Sequence, residues 1–182
     1  PSNLQMSNGS WTFATWFKRA SRTTDDFIFY VGNGDGFGGS GDELQLGCAA
    51  NTDTLSLKHF NGANVIDIDL SSGATVGINE WHHVALTFTR SSTNTGTVRL
   101  FLNGIISATS NPITWSLRQD VPLVFGGHAS TSGSINRYFN GWLDDLALFQ
   151  GTLDSNRLAN LAKRSVATIG GLSASTTVNV MV

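Results

Sequence analysis

Two Asn-Gly dipeptides, each set between runs of alternating residues, constrain this chain more than anything else in it. Asn61-Gly62 separates Leu55-Ser56-Leu57-Lys58-His59-Phe60 from residues 65–70, and Asn103-Gly104 separates residues 98–102 from residues 105–108. Asn and Gly tolerate the left-handed backbone of a two-residue turn, so the pattern predicts two antiparallel hairpins. In residues 65–70, Ile66, Ile68 and Leu70 fall on one face and Val65, Asp67 and Asp69 on the other, giving a dry side and a wet side. In residues 80–89, His82, Val84, Leu86 and Phe88 share one face, and Trp81, His83, Ala85 and Thr87 share the other.

Further strands are predicted at 11–18, 27–31, 43–48, 123–126 and 138–149, with turn residues between nearly all of them. Only residues 154–164 have helical spacing, with Asp154 or Ser155 as the cap and Leu158 and Leu161 three apart. Many short strands and one short helix predict an all-β fold, a two-sheet antiparallel sandwich of jelly-roll type. A chain of 182 residues suits one such domain, placed here at 1–165. Residues 166–182 read as a linker or extra strand leading to a following module.

Charge excludes several functions. Net charge is −2 and no Lys/Arg-rich run occurs, so nucleic acid and anionic lipid are not expected partners. Charged residues are 13% against a usual share of about 25%, and Ser, Thr, Asn and Gly supply the polar surface, as in many extracellular β proteins. No apolar run nears the roughly 20 residues of a membrane helix. The single cysteine, Cys48, permits neither an internal disulfide nor a Cys-based zinc site, and is read as a small apolar residue.

The glycine-rich stretch at 32–47, GNGDGFGGSGDELQLG, invites three motif readings and fails each. A phosphate loop needs Gly-Lys-Ser/Thr and a following helix. An EF-hand needs a twelfth-position carboxylate between helices. The nonapeptide calcium repeat needs stacked copies, and Asp42 falls one position early. A strand-connecting loop remains, whose exposed carbonyls with Asp35 and Asp42 leave calcium as a candidate. Asp144 and Asp145 are adjacent on a strand and point to opposite faces, so one is expected to face the interior or a sheet edge. Burying a lone carboxylate is costly, and a bound cation would offset it. His82 and His83 diverge in the same way and cannot chelate one ion together. Trp11, Trp16 and Trp81 follow the strand pattern of a core. Trp115 and Tyr138 lie near predicted loops and offer flat rings to a sugar face, with Arg118 and Arg137 beside them to bind hydroxyls or carboxylates.

Three segments carry a resemblance. SWTFATWFKRA at 10–20 is followed by NEWHHVALTF at 79–88 with VRLFLNG at 98–104, and then by FNGWLDDLALFQGTLDSNRLANL at 139–161. In order and spacing they resemble the laminin-G-like jelly rolls of the concanavalin A-like lectin/glucanase superfamily. The resemblance spans about residues 10–164. Only nine residues precede the first segment, where the family usually has an earlier strand, and the cysteine pair of its disulfide-bearing members is absent. It implies a secreted or cell-surface module of a multidomain protein, monomeric, that binds a glycan or polysaccharide or an extracellular protein. It also implies a structural calcium, for which Asp144 is the motif-matched ligand, with Asp35 and Asp42 behind it. The superfamily's glucanases set their carboxylates at a Glu-x-Asp-x-x-Glu spacing. The only glutamates here are Glu43 and Glu80, and no Gly-x-Ser-x-Gly elbow occurs. The expected function is therefore non-catalytic carbohydrate recognition. The alternative is a structural or adhesive protein-interaction module without a glycan ligand.

Overall fold

The structure is a computed structural model that describes Met6 and residues 9–32, 43–61, 65–115, 123–129 and 134–163. In chain order the strands are β1 (Trp11–Arg19), β2 (Asp26–Val31), β3 (Glu43–Cys48), β4 (Thr54–Asn61), β5 (Val65–Thr75), β6 (His82–Arg90) and β7 (Thr95–Leu102). Then come β8 (Ile105–Thr109), β9 (Ile113–Thr114), β10 (Leu123–Phe125), β11 (His128–Ala129), β12 (Ile135–Asn136), β13 (Gly141–Gln150) and the helix α1 (Ser155–Leu161).

These strands form the predicted sandwich. One sheet has the order β13-β1-β6-β7-β8, with β9 also pairing to β7; the other has the order β10-β2-β3-β4-β5. All pairings within the sheets are antiparallel, and β11 and β12 make a separate two-stranded ribbon. The Asn103-Gly104 turn joins β7 to β8 with both residues left-handed, φ 52° and 79°, as a two-residue hairpin requires. The other hairpin also forms, since Asn61 pairs with Val65 across β4 and β5, while Gly62 lies outside the described residues.

Alternation decides which side chains meet between the sheets. Phe13 and Phe17 of β1, Leu44 and Leu46 of β3, and Val84 and Leu86 of β6 are all fully buried in one core. Ile68 and Leu70 of β5 join it, as the dry face predicts. The opposite face of β6 is not wet. Ala85 packs with Ala14, Phe101 and Leu158 in a second cluster, because α1 lies across the outside of this sheet. Asp154 caps α1, its side chain accepting a hydrogen bond from the Arg157 N–H at 2.9 Å.

Trp115 belongs to the core, not to a binding surface. Ile113 and Thr114 pair with the start of β7, and the Trp115 N–H donates to the Asn94 carbonyl. The side chain therefore drops into the sandwich. Its ring centroid lies 5.2 Å from His59, 5.6 Å from Phe88 and 6.1 Å from Trp11. The indole N–H donates to the Met6 carbonyl at 3.0 Å, and none of the residue is exposed. A ring without an exposed face cannot stack on a sugar.

One polar bridge crosses the sandwich. Arg19 at the end of β1 and Asp26 at the start of β2 belong to opposite sheets, and both are buried. The Arg19 Nε donates to Asp26 Oδ2 at 3.0 Å, and an Arg19 Nη donates to the Thr52 carbonyl at 2.8 Å.

Candidate functional site

The outward face of the β10-β2-β3-β4-β5 sheet holds a cleft of about 120 Å³. Its floor follows from register. Phe27, Gly47 and Ser56 stand side by side across β2, β3 and β4. Gly47 has no side chain and Ser56 a short one, so the surface sinks beside the Phe27 ring. Gly47 cannot be otherwise, because a Cβ there would collide with the Asp26 carbonyl oxygen. In the next row Gln45 stands beside Lys58, and Phe60 follows Lys58 two residues along β4. All three line the cleft.

A β-bulge places Phe27 here. The register between β2 and β3 shifts between Phe27 and Phe29. Ile28 and Phe29 are both in the core, and the face of Phe27 is reversed relative to strict alternation. The β11–β12 ribbon then lies against β2. The His128 ring sits 4.3 Å from Tyr30 and 5.3 Å from Phe27. The chain leaving β12 delivers Arg137, whose guanidinium carbon lies 5.8 Å from the Phe27 ring centre.

Of the predicted ligand residues, Arg137 and Tyr138 meet at this site. Tyr138 is 65% exposed, and its hydroxyl donates to the Ile135 carbonyl at 2.7 Å. With Thr24, Phe139 and Asn140 it forms a shallow hollow that shares Arg137 with the cleft. Arg118 lies outside the described residues. Sequence reasoning missed Phe27, Gln45, Ser56, Lys58 and Phe60. Their signal was the second face of β3 and β4, where polar and aromatic residues alternate with core leucines.

The cleft's acids are already engaged. Asp26 is bound to Arg19, and Asp25 Oδ1 accepts the Ala50 N–H at 2.9 Å. Cys48, at the cleft's edge, has its thiol pushed up to about 12, chiefly by burial, so it stays protonated and unreactive.

The metal expectations fare differently. Asp35 and Asp42 lie outside the described residues. Asp144 and Asp145 are both exposed, so the desolvation argument for a cation at this pair does not hold. β13 is an edge strand, and a bulge opposite Thr15 turns Asp145 left-handed, φ 50°. Neither acid is driven inward, and Asp144 Oδ1 instead accepts the Asp145 N–H at 2.9 Å. Among the described residues no three His, Cys, Asp or Glu side chains gather at one point.

The histidine pair is structural. His82 lies against Phe17 and its Nδ1 faces the Asn103 amide at 3.4 Å, while His83 lies edge-on to Trp16. Burial lowers both from the usual imidazole value, His83 to about 4. The unfolded chain therefore binds protons that folded His83 refuses. Its stabilising contribution is complete above about pH 6.5 and fades as pH falls toward 4. Unfolding in urea at pH 7 and pH 4.5 should show His83→Gln losing about 2 kcal/mol less on acidification than the parent, after allowance for solvent screening. Equal losses would contradict this assignment.

On the other sheet, the Lys18 ammonium lies 4.5 Å from the Trp142 ring centre and 5.7 Å from that of Trp81. Trp142 is half exposed and Trp81 half buried. Trp11 and Trp16 are buried, as the strand pattern predicts.

The comparisons with known proteins agree with this architecture. Among solved structures, the carbohydrate-binding module CBM40 of the Ruminococcus gnavus IT-sialidase, bound to α2,3-sialyllactose, superimposes with a TM-score of 0.67 at 19% identity, over 86% of this chain and 84% of that one. Domain 4 of AbnA, a GH43 extracellular arabinanase from Geobacillus stearothermophilus solved with arabinotriose, gives 0.64 at 16% identity, over 87% and 68%. At these identities the likeness is one of fold. No curated protein matches the chain. The laminin-G family profile described as the concanavalin A-like lectin/glucanases superfamily matches residues 1–159. The chain therefore belongs to the laminin-G-like family of the concanavalin A-like lectin/glucanase superfamily.

Proposed function

We propose that this domain is a non-catalytic carbohydrate-binding module and that the cleft over β2, β3 and β4 is its sugar site. The observation that carries the reading is the cleft's composition. Phe27 and Phe60, 9% and 6% exposed, give the cleft an apolar floor, Gln45 stands beside them with its amide N–H on Glu43, and Lys58 and Arg137 also line it. An apolar floor with a few convergent polar groups suits a sugar, which has apolar C–H faces and a hydroxyl rim. The volume is small beside the several hundred Å³ of a drug-sized ligand pocket, so one sugar unit enters it. The hollow at Tyr138 takes the neighbouring unit.

The non-catalytic reading is supported by the engagement of Asp25 and Asp26, the two carboxylates among the described residues that line the cleft. Both solved relatives named above hold oligosaccharides, and one is part of an extracellular enzyme. They support glycan as the ligand class and an extracellular setting for a module of a larger protein. No helix among the described residues is long and apolar enough to cross a membrane.

A glycan array tests the reading directly, and an array without a single bound glycan would overturn it. Binding should also be independent of calcium, because the two acids that line the cleft already have partners, Asp26 in Arg19 and Asp25 in the Ala50 N–H. The dissociation constant with excess EDTA should agree within about twofold with that in millimolar calcium. Loss of binding on chelation would place a metal in the site.

A further inference from the structure

We propose that Gln45 reads the bound sugar as a hydrogen-bond acceptor, and that Glu43, which does not line the cleft, aims it. This rests on the glycan-binding reading above. Glu43, Gln45 and Gly47 are alternate residues of β3 and share its outward face, since Leu44 and Leu46 lie in the core. Gln45 therefore has Glu43 on one side and the hollow over Gly47 on the other. Its Nε2 donates to Glu43 Oε2 at 3.3 Å. A carboxylate only accepts, so the amide must turn its nitrogen, and not its carbonyl, toward Glu43. The carbonyl oxygen Oε1 is then directed away from Glu43, toward the floor on which a sugar would rest.

Both side chains are closely packed. Gln45 is 7% exposed and Glu43 3%. A Cβ on Gly32 would come within 2.6 Å of the Glu43 Cγ, and Phe60 stands beside Glu43 across β4. With its nitrogen committed to Glu43, the buried amide offers the cleft an acceptor, and the ligand group that meets it must donate. Lys58 is the competing donor for that oxygen, and it stands opposite Asp69 across β4 and β5. Two groups of a sugar have the required chemistry: a hydroxyl, and the N–H of an acetamido substituent.

NMR titration separates them. The probes are methyl β-galactoside with its deoxyfluoro derivatives, and methyl N-acetyl-β-glucosaminide with the O-acetyl ester that puts oxygen in place of its N–H. Fluorine fills the place of a hydroxyl and cannot donate. Removing one donor should weaken binding to the parent about fivefold, the loss of one hydrogen bond. Which probe suffers identifies the group. In Gln45→Met the intact and donorless probes should bind alike. In Glu43→Gln the new amide can donate as well as accept, so Gln45 is free to turn over. The preference should then fall to about twofold or less, whereas a merely structural Glu43 would leave that ratio unmoved. Binding that no donor removal weakens would overturn the assignment and leave the glycan reading intact. So would a preference that survives Gln45→Met. A preference undiminished in Glu43→Gln would overturn the role of Glu43; if that variant does not fold, Gln45→Met still decides the acceptor. If neither sugar binds, any hit on the glycan array overturns this inference alone, and a blank array overturns both.

Discussion

Replacing Arg19 with methionine should destabilise the domain by about 3–5 kcal/mol, the usual result of stripping a buried charge of its partner. Asp26 is 1% exposed and its Oδ2 is held by Arg19 at 3.0 Å. Without the guanidinium, that carboxylate would remain between the sheets with only long contacts to Oδ1, from the Thr24 hydroxyl at 3.5 Å and the Asn140 N–H at 3.4 Å. In a domain of this size each kcal/mol is worth about 2–4 °C, so the melting temperature should fall by roughly 10 °C. Arg19→Met with Asp26→Leu should recover most of the loss, because an apolar pair of similar volume avoids the desolvation of both charges. If the single variant costs less than about 1 kcal/mol in urea unfolding, the bridge does not fasten β1 to β2. If the double variant is no better than the single, the damage lies in the packing around the site.

Much of this architecture was legible in the sequence. The strand β3 (Glu43–Cys48) has the bounds that alternation assigns it, and Asn103-Gly104 forms the turn its residues demand, because both depend on local chemistry. The site was harder to read. Phe27, Gly47 and Ser56 are far apart in sequence and become neighbours only through the pairings of β2, β3 and β4. The β2 bulge reverses the face of Phe27, and an inserted residue has no signature in hydrophobic period. Trp115 was misplaced because a loop-like stretch can still turn one large side chain into an open end of the core. Asp144 was misplaced because the adjacent-acid argument assumes regular pleating, and the bulge at Asp145 removes it. Arg137 and Tyr138 were found from residue chemistry alone, and the fold gives Arg137 the Phe27 ring that the sequence could not.

The central claim is that the cleft, and no other surface, binds sugar. Ser56→Trp tests it without disturbing the core. Ser56 is half-buried on the outward face of β4, beside Gly47, and Leu55 and Leu57 point the other way into the sandwich. An indole there fills the floor on which a sugar ring would rest. Stability should change by less than about 1 kcal/mol, as outward substitutions usually do. Calorimetric titration of the parent and of Ser56→Trp with the tightest glycan from the array is then the decisive measurement. The account predicts that affinity falls at least about fiftyfold in a variant with an unchanged melting temperature, the loss of the ring contacts and charged hydrogen bonds together. Undiminished binding to a plugged cleft would contradict it and move the site to another surface, with the half-exposed Trp142 beside Lys18 the next to test.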